Sequence, residues 1–225
     1  MSTDKNGQKR TVFLVDDHPL VREWLTNLIN QQPDLMVCGE AESRPEAVQR
    51  ISEFRPDAAI IDIALKGSSG LELIKDLTQL RPATAVLVLS MHDESHYAER
   101  ALRAGARGYI MKRDTTRNVI VALRRVLQGE LYMGEAIATA MAAKLVGAQS
   151  AASVSPIEQL SDRELEVFQM LGPGRGTRQI SEDLRISLKT VQAYCARIKE
   201  KLNLSSASEL LREAVRWNEQ TSRQG

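Results

Sequence analysis

Between Thr11 and Gln128 the sequence alternates five times between a short apolar run and a longer amphipathic stretch. Short runs rich in Val, Ile and Leu are typical of strands covered on both faces, and amphipathic stretches of about ten residues are typical of helices. This alternation predicts a doubly wound parallel sheet, because parallel neighbours need a crossover that is usually helical. The predicted strands are Val12–Val15, Met36–Ala41, Ala58–Ile61, Ala85–Ser90 and Gly108–Lys112, and the predicted helices are Leu20–Gln31, Pro45–Phe54, Gly70–Arg81, Ser95–Ala104 and Thr116–Gln128.

The pattern changes after Gly129. An alanine- and methionine-rich stretch predicts a helix over Tyr132–Val146, small polar residues over Gly147–Pro156 are typical of a linker, and only helical patterns follow. The predicted fold class is therefore α/β, a flavodoxin-like five-stranded parallel sheet, followed by a small all-α domain. The expected limits are a disordered tail over 1–10, the α/β domain over 11–129, a helix and flexible linker over 130–156, and the helical domain over 157–225.

Composition excludes several classes of protein. The 225 residues are 43% hydrophobic, which suffices for more than one core, and a net charge of +1 gives no whole-chain indication of a nucleic-acid or membrane partner. The polar N-terminus does not resemble a signal peptide, and no apolar run approaches the roughly 18 residues of a membrane span. Two widely separated cysteines suit a reducing compartment, so a cytoplasmic location is expected.

Polar side chains stand at the ends of four predicted strands: Asp16 and Asp17, Asp62, Ser90 and Lys112. Ligands of doubly wound sheets bind at the carboxyl ends of the strands, so these residues should converge. Three clustered carboxylates repel unless a cation such as Mg²⁺ joins them, and a carboxylate beside such a cation can accept a phosphoryl group. A lysine and a hydroxyl would then hold the phosphoryl oxygens. Each residue taken alone could simply end its strand or cap a helix, but five at four strand ends fit that alternative poorly.

In order and spacing, residues 11–128 resemble the receiver domain of response regulators. The segments LSMHDE (89–94) and AGARGYIMK (104–112) resemble the NarL/FixJ family. The resemblance implies that Asp62 is the phosphoacceptor and that Asp16, Asp17 and Asp62 hold Mg²⁺. It further implies that Ser90 and Lys112 contact the phosphoryl group and that Tyr109 is the switch aromatic.

A hydrolase of the haloacid-dehalogenase type is the enzyme alternative for a phosphorylated aspartate. Such an enzyme requires an acidic residue two positions after the nucleophile, where this chain has Ala64. The sequence therefore favours a regulator over an enzyme.

The C-terminal region predicts a helix-turn-helix. Ser161 and Glu164 have the spacing of a capping box, and the predicted helices Arg178–Leu184 and Leu188–Leu202 are joined by the short turn Arg185–Ser187. The second helix has one apolar stripe, predicted to be buried, formed by Val191, Cys195, Ile198 and Leu202. Seven basic residues stand against three acidic ones from Arg175 to Lys201, which suits a nucleic-acid surface. The pattern alone equally fits a generic helical domain with a solvated charged face.

Residues 158–220 closely resemble the LuxR-type helix-turn-helix, which decides between those alternatives. The resemblance implies that Gln192, Ala193 and Ala196 face the bases of DNA. The basic residues assigned to DNA binding, mainly to phosphates, are Lys189, Arg197, Lys199 and Lys201. Gln192 and Tyr194 depart from the lysine and histidine that are common in this family, so the base preference is expected to differ.

Together the two resemblances predict a two-component response regulator, a transcription factor controlled by phosphorylation of Asp62. The expected partners are a sensor histidine kinase, double-stranded DNA and a second phosphorylated copy, with RNA polymerase a further candidate and no membrane. Phosphorylation is expected to draw Ser90 toward the phosphoryl group and Tyr109 inward. The surplus of apolar residues between Val119 and Leu127 predicts a dimer or interdomain face, or packing on the following helix. The alternative is a phosphorylation-independent DNA-binding regulator whose receiver is a protein-interaction module.

Overall fold

The computed structural model describes residues 9–65, 68–90, 95–112, 116–135, 137–139, 141–142 and 156–222. The chain divides into two compact units, residues 1–141 and 142–225. Within the described ranges, no helix combines the length and the apolar composition that crossing a bilayer requires.

The first unit is a doubly wound α/β fold. Its described strands are β1 (Arg10–Val15), β2 (Leu35–Ala41), β3 (Ala58–Ile61), β4 (Ala64–Leu65), β5 (Ser68–Ser69), β6 (Ala85–Ser90), β7 (Gly108–Met111) and β8 (Tyr132–Met133). Its helices are α1 (Pro19–Asn30), α2 (Arg44–Phe54), α3 (Gly70–Leu80), α4 (Ser95–Ala104) and α5 (Thr116–Leu127). The main sheet is parallel, in the order β2-β1-β3-β6-β7-β8, and β4 and β5 form a separate antiparallel pair. The predicted flavodoxin-like fold is confirmed.

Helices cover both faces of this sheet. On one face Val12 and Leu14 of β1 join a core that includes residues of α1 and α5. On the other face the ring of Phe13 lies 6.1 Å from that of Phe54 in α2. Because successive strand residues point to opposite faces, this double burial explains why the strands are continuously apolar rather than alternating.

The predicted number of strands in the main sheet was too low by one. Tyr132 and Met133, assigned from their composition to the start of a helix, instead form β8, which pairs in parallel with Gly108 and Tyr109 of β7. The Tyr132 amide donates to the Arg107 carbonyl at 3.0 Å, so backbone groups at the edge of β7 gain partners that a helix would not supply. Helical residues begin at position 135, and residues 143–155, including most of the expected linker, lie outside the described residues.

The expected tail and the surplus of apolar residues in α5 also need revision. β1 begins at Arg10, inside the segment assigned to the tail, and residues 1–8 lie outside the described part of the chain. In α5, Ile120 is a core residue at 7% exposure, whereas Val121 is 42% exposed. Most of the apolar surplus therefore packs against the sheet. From residue 118 onward, the buried residues of this helix are Val119, Ile120, Ala122, Leu123 and Val126.

The second unit is all-helical in its described residues. After a 3-10 turn (Pro156–Gln159) come α6 (Asp162–Leu171), α7 (Thr177–Asp183), α8 (Leu188–Lys201) and α9 (Ala207–Ser222). The predicted capping box is present, since the Ser161 hydroxyl and the Glu164 side chain each accept from the other residue's amide. Phe168 of α6 packs against Trp217 of α9 with ring centroids 5.9 Å apart. In the predicted stripe of α8, Val191 and Ile198 are fully buried and Cys195 and Leu202 are half-buried.

Candidate functional site

The five polar residues predicted to converge do lie at one edge of the main sheet. Asp16 and Asp17 follow β1, Asp62 follows β3, Ser90 ends β6 and Lys112 follows β7. All three carboxylates and Ser90 are buried, as is the Lys112 side chain, of which 7% is exposed. The carboxyl ends of parallel strands meet at one edge, and the strand order places β1, β3, β6 and β7 side by side there.

The Lys112 ammonium bridges two of the carboxylates. Its Nζ lies 2.6 Å from Oδ2 of Asp62 and 2.7 Å from Oδ2 of Asp16. Burial raises the pKa of Asp62 to about 6, and the Asp16 carboxylate acts in the same direction while Lys112 opposes it. Burial alone would lower the pKa of Lys112, but the Asp62 and Asp16 carboxylates raise it above its ordinary value. The edge therefore holds a charged lysine beside a carboxylate that takes up a proton more readily than an exposed aspartate.

His18 is a member of this cluster that sequence reasoning missed. Its Nδ1 lies 3.1 Å from Oδ1 of Asp16 and 2.9 Å from Oδ1 of Asp17, and 57% of its side chain is exposed. One ligand atom from each of Asp16, Asp17, His18 and Asp62 falls within 4.8 Å of the others. The signal available was its position between Asp17 and Pro19, which makes it the residue that precedes α1 and follows the two aspartates.

The same cluster is suited to a hard divalent cation. Buried carboxylate oxygens at this mutual distance are the donors that Mg²⁺ prefers, and the like charges favour a cation between them. Arg22 supports the loop between β1 and α1, because its Nη1 donates to the Asp16 carbonyl at 2.7 Å. The donor chemistry therefore fits Mg²⁺.

Ser90 and Tyr109 lie inside the fold. Both side chains are fully buried, and the Lys112 amide donates to the Ser90 carbonyl at 2.7 Å, which ties the end of β6 to the end of β7. The ring of Tyr109, three residues before Lys112, is already in an inward position. The expected inward rotation of the Tyr109 side chain would therefore have to start from a conformation in which the ring is exposed, which is not the conformation in this structure.

The predicted DNA-contacting residues of α8 differ in their surroundings. Lys189, Gln192, Ala193, Ala196 and Arg197 are exposed, and Lys199 is half-buried. Thr190 donates its amide to the Ser187 hydroxyl at 3.0 Å, which caps the start of this helix.

Lys201 is engaged inside its own domain. Its Nζ donates to Oε2 of Glu164 at 2.6 Å and to the Gln159 carbonyl at 3.1 Å. Glu164 is 3% exposed, and although burial alone would raise its pKa, Lys201 and the Ser161 amide hold that pKa below its ordinary value. Lys201 therefore links the end of α8 to the start of α6, a contact that the sequence did not reveal.

Comparison with known proteins agrees with this arrangement. Residues 12–124 match the family described as "Response regulator receiver domain", and residues 158–214 match "Bacterial regulatory proteins, luxR family". The oxygen regulatory protein NreC of Staphylococcus epidermidis is 36% identical over 210 residues, covering 91% of this chain and 96% of NreC. NreC of Staphylococcus haemolyticus is 34% identical over 209 residues, covering 91% and 96%.

The chain is a response regulator of the NarL/FixJ family. Receiver domains generally bind Mg²⁺ at an acidic site, and the family consists of DNA-binding transcriptional regulators rather than enzymes. Solved structures agree on the fold. A LuxR-family response regulator from Aurantimonas sp. matches 62% of this chain and 99% of its own, with a TM-score of 0.59 and 34% identity. RcsB of Salmonella enterica serovar Typhimurium, solved bound to a promoter, matches 92% and 98%, with a TM-score of 0.62 and 21% identity.

Gly70 is a further residue of this response regulator that the sequence analysis did not assign to the site. It opens α3, and its amide donates to the Ile63 carbonyl at 2.9 Å. A Cβ at this position would overlap the carbonyl oxygen of Asp62 and lie 2.7 Å from Cα of Ile63. The backbone that carries Asp62 can therefore pack this closely against α3 only when residue 70 has no side chain.

The substitution Gly70→Ala should destabilise the receiver by about 1–3 kcal/mol, because a backbone contact cannot yield as a side chain can. Hydrogen exchange of the β1 and β3 amides measures this change in the free energy of unfolding. Gly134→Ala is the matched control, since a Cβ there meets nothing within 4 Å. Equal exchange rates in the two variants would contradict the argument.

The carboxyl carbon of Asp62 should titrate with a midpoint near 6 in the metal-free protein, against an ordinary value of 3.8. ¹³C NMR measures this midpoint directly. Because the native state binds this proton more tightly than the unfolded chain, the stabilising contribution of Asp62 is full below pH 3.8 and is lost as the pH rises through about 6. Asp62→Asn should remove that part of the pH dependence, and a wild-type midpoint near 3.8 would refute the prediction.

Proposed function

We propose that this response regulator is a transcription factor whose binding to double-stranded DNA is controlled by phosphorylation of Asp62 by a sensor histidine kinase. The observation that carries the proposal is the Asp62 carboxylate, buried at the carboxyl edge of the sheet, 2.6 Å from the Lys112 ammonium and close to Asp16. The proposed domains are the receiver, assigned to 11–129 with β8 completing its sheet, and the DNA-binding domain over 157–225, joined by the rest of the segment 130–156.

In the proposed reaction a carboxylate oxygen of Asp62 attacks the phosphorus of a phosphohistidine. The phosphorus–nitrogen bond breaks, the electron pair stays on the imidazole nitrogen, and an aspartyl-phosphate forms. Only the ionised carboxylate is a nucleophile, and a pKa of about 6 leaves Asp62 mostly ionised at pH 7. The Lys112 ammonium, already within hydrogen-bond distance, offsets charge on the phosphoryl oxygens.

Asp16, Asp17 and Asp62 are the residues that would hold Mg²⁺. The bound ion would supply positive charge to the phosphoryl oxygens in a site otherwise dominated by carboxylates. The donor set described above supports this assignment.

The phosphoryl group adds up to two negative charges at a buried edge, so groups around it must rearrange. Ser90, at the end of β6, is placed to bring a hydroxyl to the phosphoryl oxygens, and Tyr109 is the proposed switch aromatic on the adjacent strand. The proposed outcome is a homodimer that presents two recognition helices to two half-sites. RNA polymerase is a further proposed partner. The proposed location is the cytoplasm, where a bacterial regulator would reach its DNA.

In the DNA-binding domain, the proposed role of each α8 side chain follows from its exposure and from the contacts it already makes within the domain. Gln192, Ala193 and Ala196 lie on the exposed side of α8, where they would face bases. Lys189 and Arg197 would contact phosphates, with Lys199 contributing from a half-buried position. The Glu164 contact gives Lys201 a different proposed role, because its ammonium is already used to fix α8 against α6.

The first test combines phosphorylation with DNA binding. Incubation with acetyl phosphate and Mg²⁺ should add one phosphoryl group to the wild type and none to Asp62→Asn, measured by intact mass. The affinity for a duplex selected by the phosphorylated wild type from a random pool should then rise about 5–150-fold on phosphorylation, the usual range for allosteric coupling. Fluorescence anisotropy measures that affinity.

Three results separate the proposal from its alternatives. A phosphoryl gain without any change in DNA affinity would favour a receiver that acts as a protein-interaction module. Equal modification of Asp62→Asn would show that another residue accepts the group. Failure of the wild type to accept a phosphoryl group from either acetyl phosphate or a histidine kinase panel would overturn phosphorylation control.

The two lysines of α8 should behave differently when each is replaced by alanine. Lys189→Ala should lower the slope of log affinity against log salt by about one, because an exposed ammonium bound to a phosphate releases one counterion. Lys201→Ala should leave that slope nearly unchanged and lower the free energy of unfolding by about 1–3 kcal/mol, since Glu164 loses its charged partner. That range is below the cost of breaking a fully buried pair, because 36% of the Lys201 side chain is exposed.

Fluorescence anisotropy at several salt concentrations measures the salt slope. Chemical denaturation, with hydrogen exchange of the α8 amides as the probe, measures the free energy of unfolding. A reduced salt slope for Lys201→Ala with unaltered stability would restore Lys201 as a phosphate contact.

A further inference from the structure

Tyr194 and Arg197 form a cation–π pair on α8, called the stack below. The guanidinium carbon of Arg197 lies 5.9 Å from the centre of the Tyr194 ring, one helical turn away. Tyr194 is half-buried and Arg197 is exposed, so part of the ring lies within the domain while the guanidinium stands at its surface.

Arg197 belongs to the exposed side of the helix. Ala193, one turn earlier, and Ala196, its neighbour, are both exposed and too small to hold a long side chain. Among the residues that the structure describes, no carboxylate forms an ion pair with Arg197. Among the described residues, the contact made by this guanidinium is with the Tyr194 ring.

The stack has a physical consequence for anion binding. A cation over the face of a tyrosine ring is attracted by its quadrupole, and a planar guanidinium remains able to donate from its edge while stacked. A free arginine side chain carries substantial rotamer entropy that is lost when it is bound. A guanidinium already held in place loses less of that entropy when it binds a phosphate.

We infer that Tyr194 is a positioning residue for DNA binding, whose ring holds the Arg197 guanidinium in place for a backbone phosphate. This inference rests on the proposed function, since it assigns a role within the same DNA-binding surface. It adds Tyr194 to that surface through its ring and assigns no contact to its hydroxyl.

The experiment uses the full-length protein and a duplex that the phosphorylated wild type selects from a random pool. Tyr194→Leu keeps an apolar, helix-compatible side chain without a π face, and should weaken binding about 2–5-fold, the effect of an exposed cation–π contact. Tyr194→Phe keeps the ring and should bind within twofold of the wild type. In an Arg197→Ala background, Tyr194→Leu should have no further effect, because the group that the ring positions is gone.

The salt slope distinguishes positioning from direct contact. Arg197→Ala should lower the slope by about one, whereas Tyr194→Leu should leave it unchanged, because the arginine still reaches the phosphate with a lower probability. In the unbound wild type, the δ protons of Arg197 should show upfield ring-current shifts that Tyr194→Phe preserves. This NMR measurement tests the stack without relying on the leucine variant.

Each contrary result has a defined meaning. Equal weakening by Tyr194→Phe and Tyr194→Leu would assign the effect to the hydroxyl and overturn the inference. An undiminished effect of Tyr194→Leu in the Arg197→Ala background, or the absence of ring-current shifts in the wild type, would also overturn it. Those results leave DNA binding itself intact, whereas failure of the wild type to select any duplex would overturn the proposed function and this inference together.

Discussion

The ammonium group of Lys112 is the interaction on which the functional edge of the receiver depends. Adjacent strands are about 4.8 Å apart, and Lys112 follows β7, which is separated from β3 by β6. A long side chain is therefore needed to reach Asp62 at 2.6 Å and Asp16 at 2.7 Å. Without that charge, like carboxylates at this buried edge would repel by ~4 kcal/mol per pair at 4 Å and an effective dielectric constant of 20. The Lys112 ammonium thus holds together the ends of β1, β3 and β7.

The sequence carried enough information to predict the carboxyl edge of the sheet, because parallel strands run in the same direction and end at the same edge. Once each apolar run was assigned to a strand, its carboxyl end followed, and Asp16, Asp62 and Lys112 were placed at one edge without knowledge of distances. β3 and β6 were predicted residue for residue, since their apolar runs end at polar residues that close the core. The capping box at Ser161 was equally local and was confirmed for the same reason.

Three of the missed features depend on contacts between residues whose relation is not periodic. Nothing in the spacing of Glu164 and Lys201 indicates that α8 ends beside the start of α6. Gly70 could be read as an ordinary helix start, because the backbone of Asp62 and Ile63 that excludes a side chain comes from a packing contact. On α8, composition gives the sum of positive charge, but only the fold separates an exposed Lys189 from a Lys201 that is already paired.

β8 shows how an edge of a sheet can override local composition. A helix was expected from Tyr132 onward, yet Tyr132 and Met133 pair with Gly108 and Tyr109 because β7 would otherwise expose a row of unpaired backbone groups. Gly108 fits tightly at this position, since a Cβ there would lie 2.7 Å from Cδ1 of Leu87 and 3.2 Å from the Tyr132 carbonyl oxygen. β7 is consequently bonded on one side to β6, which ends at Ser90, and on the other to the first residues of the segment that leads toward the second unit. A displacement of β7 that follows a change at Lys112 must therefore be accommodated by its backbone hydrogen bonds to both β6 and β8.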